Sequence, residues 1–169
     1  TVDKMTGYLA RLHELQTFID QVYIPDVIAV AEAYKAYFGI GKGCGNLVSY
    51  GVLEEDNAGT KKLLPAGVFL GGKAGAFSAG KIAEYVKHSR YASASGLHPS
   101  KGETELAPGK DGAYSWLKAP RYDGAVCEVG PLARMAVAHL TGGNAAASAL
   151  IEKTLGHFGA DVGALFSVL

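Results

Sequence analysis

Cysteine is scarce in this sequence. Its 169 residues include two cysteines, Cys44 and Cys127, which lie far apart and outside any C-x-x-C pattern. This usage excludes the paired spacing of a structural zinc site and the dense disulfide framework of small secreted domains. Each cysteine is therefore expected to be a small buried side chain.

Long apolar runs, a secretory signal and a net charge are also missing. No stretch approaches the ~18 apolar residues of a membrane helix, and the polar residues 1–4 do not resemble the start of a signal peptide. The composition, 49% hydrophobic and 19% charged, is typical of a globular chain. We therefore expect one domain or a large part of a bigger one, with no membrane span and no targeting signal.

Charge is distributed unevenly along the chain. Residues 1–56 carry a net charge of −4, residues 57–121 carry +6, and residues 122–169 carry −2. The basic middle is either a solvated lysine-rich surface or a face for an acidic partner. Its basic residues are diluted by glycine and do not cluster, so no nucleic-acid partner is expected.

Both ends of the chain have the apolar periodicity of helices. The first pattern predicts a helix over residues 3–24, an interruption at Pro25, and a second helix that ends near Phe38. The second pattern predicts a helix that begins at Pro131 and another over residues 145–158. In the latter case Asn144 is expected to be the N-cap. Residues 161–169 repeat an amphipathic helical pattern.

The middle of the chain has different signals. It predicts a strand over residues 47–53, a turn at 54–59, a partner strand over 63–70 and a short helix over 78–87. Residues 88–127 have little periodicity and many Gly, Pro and Ser residues, and so long a loop indicates a function or an interface.

The predicted fold class is therefore mainly α (α+β). It has helical bundle elements at both ends, a small antiparallel strand region near 47–70 and a long irregular region near 88–127. We treat the chain as a single unit, 1–169, made of helices 3–38, a strand and loop region 47–127, and helices 131–169.

One phosphate-binding motif is partly present. Gly75–Lys81 fits G-x-x-x-x-G-K, but the next residue is Ile82 and not the Ser or Thr that would hold magnesium. A glycine-rich turn that enters a helix is favoured over nucleotide binding.

Two histidines and a glutamate are metal-ligand types within the irregular region. His88 and His98 are ten residues apart, with Glu103 nearby, and this separation matches no recognised ligand spacing. Structural hydrogen bonding is the favoured role for both histidines.

Two arginines flank an acidic residue in a proline-containing stretch. Arg121 and Arg134 stand on either side of Glu128, and charge-assisted pairing among them would hold irregular backbone. This scaffold role is preferred to catalysis, because ion-pair networks perturb pKa values without any chemistry.

Several short segments, read together and in order, carry a family resemblance. They are His88-Ser89-Arg90-Tyr91, Leu97-His98-Pro99, Gly102-Glu103-Thr104, Tyr114–Tyr122 and Glu128–Arg134. They resemble the central region of the large subunits of uptake-type, periplasm-facing nickel–iron hydrogenases, as do Val2–Met5 and Asn46–Gly51. The resemblance covers almost the whole chain. Two positions depart from it: family members usually have Trp at the place of Arg90, and often at the place of Ser100.

The resemblance implies a parent enzyme that reversibly oxidises dihydrogen and passes electrons to an iron–sulfur small subunit on the periplasmic side of the membrane. In this family four cysteines, in one C-x-x-C near each end of the subunit, hold nickel and iron with carbonyl and cyanide ligands. Neither motif is present, and Cys44 and Cys127 do not match those positions. We therefore expect an inactive fragment with no catalytic or metal-binding residue, produced by excision from a longer subunit.

The family-motif residues are then expected to have structural or interface roles. They are His88, His98, Glu103, Trp116, Lys118, Arg121, Glu128 and Arg134. The apolar faces of helices 3–38 and 145–169 are expected to make the isolated chain self-associate. Two alternatives remain: a free-standing structural or binding protein related to this fold, and a phosphate-binding module that uses Gly75–Lys81.

Overall fold

The computed structural model describes residues 2–160 and shows an α+β fold, mainly helical with small antiparallel sheets. This confirms the predicted fold class. The chain divides into two compact units, Thr1–Gly41 and Lys42–Leu169. The amphipathic pattern at 161–169 lies outside the described residues. Within them, no helix is long and apolar enough to cross a membrane.

The first unit is a helical arm. It consists of α1 (Val2–Phe18), a π-helical turn (Ile19–Tyr23), α2 (Ile24–Tyr34) and a final 3-10 segment (Lys35–Gly41). The predicted helices over 3–38 are confirmed. The expected break at Pro25 is instead a change of helix type, because the wider π-helical turn comes just before the proline and α2 begins around it.

None of the side chains described in the arm is buried. Its exposed large apolar side chains keep between 37% (Ile19) and 81% (Ile40) of their surface accessible. Helices in proteins gain most of their stability when an apolar face packs against a neighbour. The arm therefore presents a long apolar surface of the kind that normally has a partner.

The second unit contains the sheets. Within the described residues, one sheet has the order β1-β4-β5 and two others pair β2 with β3 and β6 with β7, all antiparallel. The strands are β1 (Leu47–Ser49), β2 (Val52–Glu54), β3 (Lys62–Leu64), β4 (Gly67–Leu70), β5 (Lys73–Gly75), β6 (Ile82–Tyr85) and β7 (Ala119–Tyr122).

The antiparallel region predicted at 47–70 is present, but each predicted strand is divided in two. Gly51 has a positive φ of 85°, which breaks the first strand between β1 and β2. Pro65 lies between β3 and β4, where it cannot donate a ladder hydrogen bond. The chain therefore changes sheet at both points.

The helix predicted over 78–87 is wrong. A 3-10 turn (Ala79–Lys81) leads directly into β6, which pairs with β7 in the register Ile82↔Tyr122. The partner strand lies in the region predicted to be irregular, so pairing with a distant segment overrides the local pattern. Because a strand follows Lys81 and its Nζ lies 2.8 Å from Asp123 Oδ2, the phosphate-loop alternative loses its structural context.

Two helices complete the second unit, as predicted. They are α3 (Pro131–Leu140) and α4 (Ala145–His157). Asn144 is the N-cap of α4, since its side chain accepts a hydrogen bond from Ala147 N at 2.8 Å.

The main core lies where β1 meets α3 and α4. Its buried members are Leu47, Ala133, Ala136, Val137, Ile151 and Leu155. The alanines on α3 bring the helix close to the sheet, and a Cβ added to Gly67 would lie only 2.8 Å from Val137 Cγ1. The small side chains thus set the distance between the helix layer and the sheet.

Candidate functional site

The irregular region 88–118 is held to the β6–β7 pair by an ion pair. Lys118 Nζ lies 3.1 Å from Glu84 Oε2 and donates to Thr104 Oγ1 at 2.9 Å. The side chains of Lys118 and Glu84 are only 12% and 22% exposed. Attraction between charges is screened less at partly buried positions, so this contact fixes the loop more firmly than a surface pair would.

Further polar contacts replace regular secondary structure in this loop. Lys110 Nζ donates to Val86 O at 2.6 Å and to Tyr91 O at 3.0 Å. The buried Ser95 hydroxyl accepts from Glu105 N at 3.0 Å. Because buried backbone groups need partners, these side chains allow an irregular path to be ordered.

Aromatic and cationic side chains contact one another in this loop, where Trp116 is exposed and Lys118 is largely buried. The Arg90 guanidinium lies 5.7 Å from the ring centre of Trp116, and the Lys118 ammonium lies 5.5 Å from that of Tyr91. Trp116 and Tyr91 also meet edge to face at 6.1 Å. At the position where the family resemblance predicts Trp, this chain therefore has Arg90, which lies over the face of Trp116.

A second group of the same kind lies beside β6 and β7. Arg121 lies 5.0 Å from the ring centre of Tyr85, and His88 stacks on Tyr114 at 5.5 Å. Tyr85 and His88 are 6.4 Å apart. We call the two groups together the aromatic–cationic surface; its members are Tyr85, His88, Arg90, Tyr91, Tyr114, Trp116, Lys118 and Arg121.

The remaining loop residues named from the sequence, His98 and Glu103, make few polar contacts. His98 Nδ1 accepts from Ser100 N at 3.1 Å and lies 2.7 Å from Ser100 Oγ. Nδ1 is therefore the acceptor, which places the proton of a neutral ring on Nε2. Glu103 is exposed and has no side-chain hydrogen bond or ion pair within the described part of the chain.

The predicted pairing of Glu128 with Arg121 or Arg134 is wrong. Glu128 Oε1 instead accepts from Cys44 N at 3.0 Å, and no ion pair in residues 4–160 joins Glu128 to either arginine. The reason is the short bridge between Leu47 and Glu128, which brings the carboxylate beside the loop before β1. Arg134 lies on α3 and lines a cavity of about 220 Å³ with Ser49 and Tyr50.

The expectation that both cysteines are buried is also wrong. Cys44 is exposed and Cys127 is partly buried, and both are free thiols. Burial raises the pKa of the Cys127 thiol, and the nearby Cys44 raises it further. Cys44 Sγ also lies 3.4 Å from Val126 O, so the two cysteines are near one another in the fold although they are far apart in the sequence.

A nickel–iron centre does not fit the donor set found here. The family resemblance implies four cysteine ligands for such a centre, and the sequence has two cysteines. Within residues 4–160, no three His, Cys, Asp or Glu side chains are grouped so that they could hold a metal.

The sequence analysis did not single out three tyrosines of the aromatic–cationic surface. Tyr85 was assigned to a helix, and Tyr91 and Tyr114 were seen only as parts of family segments. Their one local signal is that aromatic residues recur beside basic residues in a region with no periodicity.

The comparison with known families identifies the chain. The family described as nickel-dependent hydrogenase matches residues 1–169. The chain belongs to this family. It is 43% identical to the periplasmic [NiFeSe] hydrogenase large subunit of Desulfomicrobium baculatum over 80% of this chain and 27% of that protein. It is 37% identical to the uptake hydrogenase large subunit of Azotobacter chroococcum over 84% of this chain and 28% of that protein.

Solved structures agree with the sequence relatives. A reduced, active form of the Ni-Fe-Se hydrogenase from Desulfomicrobium baculatum aligns with a TM-score of 0.75 and 43% identity, over 81% of this chain and 28% of that one. The as-isolated oxidised enzyme from D. vulgaris Hildenborough aligns with the same TM-score and 44% identity, over 81% and 29%. The chain thus spans less than a third of these large subunits.

The ion pair between Lys118 and Glu84 leads to a prediction about stability. Replacing Lys118 with Met should lower the free energy of unfolding by about 1–3 kcal/mol, because the Glu84 carboxylate keeps its partly buried position without a partner. The matched control is Lys61→Met, which removes a pair with Glu55 whose side chains are 73% and 38% exposed. This control should cost less than about 1 kcal/mol. Urea denaturation of both variants measures the difference, and equal losses would contradict the assigned role of Lys118.

Proposed function

We propose that this chain is the central part of the large subunit of a nickel–iron hydrogenase, an enzyme that reversibly oxidises dihydrogen. The observation that carries the proposal is the match of the hydrogenase family over all 169 residues. The 43% identity to a [NiFeSe] large subunit and the TM-score of 0.75 support it. The ordered segments from His88 to Arg134 supply the sequence evidence.

The parent enzyme would pass electrons to an iron–sulfur small subunit and work on the periplasmic side of a membrane. A relative described as periplasmic supports the location. The nickel–iron centre, with its carbonyl and cyanide ligands, would be held by thiolates in parts of the subunit outside this chain. Within the subunit, this chain would supply several helices and the ordered loop over residues 88–118.

The isolated chain should bind no stoichiometric nickel and should not reduce a dye with dihydrogen, because two cysteines cannot provide four thiolate ligands. Metal analysis and a hydrogen-dependent dye assay on the purified chain check this. Nickel at one atom per chain together with turnover would contradict the proposal. The gene tests the family role independently: its reading frame should extend on both sides into C-x-x-C motifs.

The aromatic–cationic surface has the composition of a protein interface. Tryptophan, tyrosine and arginine are enriched at such interfaces and often dominate their binding energy. Trp116 is 54% exposed and Tyr114 is 77% exposed, yet their neighbours hold both rings in place. A pre-ordered aromatic surface loses little conformational entropy on binding. We therefore assign this surface to contact with the small subunit.

Trp116→Ala should weaken binding of the small subunit by roughly 30-fold, the effect of losing an interface hot spot of about 2 kcal/mol. The control is Leu63→Ala, which shortens an exposed apolar side chain on β3, outside the surface. Affinity capture of the tagged chain, followed by titration with the small subunit, measures both. Equal binding by the two variants, or no binding by the unchanged chain, would contradict the assignment.

The helical arm would pack on other segments of the complete large subunit. In the isolated chain this apolar surface has no such cover, and burying it between two copies would recover hydrophobic free energy at ~25 cal/mol per Å². We therefore propose that the isolated chain self-associates through the arm, most simply as a symmetric dimer.

A further inference from the structure

The Cys44 thiol lies beside the backbone that flanks Cys127. Cys44 Sγ is 3.4 Å from Val126 O and 3.5 Å from Asn46 O, and Asn46 O accepts from Glu128 N at 2.9 Å. The Val126 carbonyl and the Glu128 amide are the backbone groups on either side of Cys127. The Cys44 thiol is therefore placed beside the backbone of Cys127.

A backbone bridge holds the segment before β1 next to the segment 126–128. Leu47 and Glu128 form a parallel bridge, in which Val48 N donates to Glu128 O at 3.0 Å. A Cβ on Gly43 would overlap the Glu128 carboxylate, so the loop that carries Cys44 touches the second segment as well. Disulfides join Cα atoms about 4.4–6.8 Å apart. Cys127 Sγ lies 3.7 Å from Ala125 O and packs beside Val48 and Tyr122, so the bond requires the Cys127 side chain to turn towards Cys44.

We propose that Cys44 and Cys127 form an intramolecular disulfide when the protein meets a disulfide oxidant. The bond would tie the loop before β1 to the segment 126–128. It would fix the Cys44 N–H against the Glu128 carboxylate that already accepts its hydrogen bond. The proposal does not depend on the hydrogenase function.

The exchange reaction can be written with glutathione disulfide as oxidant. The exposed Cys44 loses its proton to solvent, and its thiolate attacks one sulfur of the oxidant. One glutathione thiolate leaves and takes up a proton. The thiolate of Cys127 then attacks Cys44 Sγ and expels the second glutathione. Both protein thiols are oxidised, and one glutathione disulfide is reduced to two glutathione molecules.

The order of attack follows from exposure and from acidity. Cys44 is open to solvent, whereas Cys127 is partly buried and burial raises the pKa of its thiol. Cys127 is thus the slower thiol towards an external disulfide but is well placed for the second step, because its target is then on Cys44.

The test is incubation of the dilute folded chain with glutathione disulfide, followed by peptide mapping without reduction. The expected result is a cross-linked peptide pair that contains Cys44 and Cys127, no retained glutathione, and a fall from two free thiols to none. A glutathione adduct that persists on Cys44, a disulfide-linked dimer, or two unreacted thiols would overturn the proposal.

Single-cysteine variants separate the two steps. Cys127→Ser should stop with one glutathione on Cys44, because the second thiol is missing. Cys44→Ser should take up glutathione on Cys127 more slowly than Cys127→Ser does on Cys44. Equal rates for the two variants would contradict the proposed order of attack. Amide exchange supplies a readout of the consequence: the Cys44 N–H should exchange more slowly in the oxidised chain.

Discussion

The packing of β1 against α3 is the constraint on which the second unit depends. Leu47 is fully buried against a helix whose buried residues are alanine and valine, so the strand and the helix axis lie close together. The same residue forms the bridge to Glu128, which leads directly into α3. One residue thus connects these parts of the fold: its side chain packs on the helix, and its backbone pairs with the start of the segment that carries the last family motif. Small residues on α3 make this possible, and larger ones would push the layers apart.

The ordered loop over residues 88–118 is stabilised mainly by polar contacts. Irregular backbone is tolerated over residues 88–118 because lysine and serine side chains hydrogen-bond to its polar groups. The ion pair between Lys118 and Glu84, which is largely shielded from solvent, adds to this. The Tyr114 and Trp116 rings remain exposed, with His88 stacked on the first and Arg90 over the face of the second. Such a surface is ordered but still exposed to solvent, and exposed aromatic side chains that are already ordered favour binding of a partner.

The sequence predicted the helices near both ends of the chain well, because an apolar stripe with a proline or asparagine at its start is a local signal. α3 begins at Pro131 and α4 at Ala145 behind the Asn144 cap, as the pattern indicated. It could not predict β6, since this strand depends on a partner that lies 34 or more residues later in the chain. The contact between Cys44 and Glu128 was missed for the same reason. Family segments identified the right stretch of chain, but not the ring contacts among Tyr85, Tyr91 and Trp116, which exist only after folding.

The apolar surface of the arm is proposed to pack against other parts of a larger subunit. Sedimentation of the isolated chain over a wide concentration range tests it most directly. The account predicts a mass that rises above the 17.6 kDa of one chain as concentration increases. It also predicts a return towards that mass when Leu12 and Leu15, which are 47% and 52% exposed, are both replaced by Lys. A clean monomer of the unchanged chain at every concentration would contradict it.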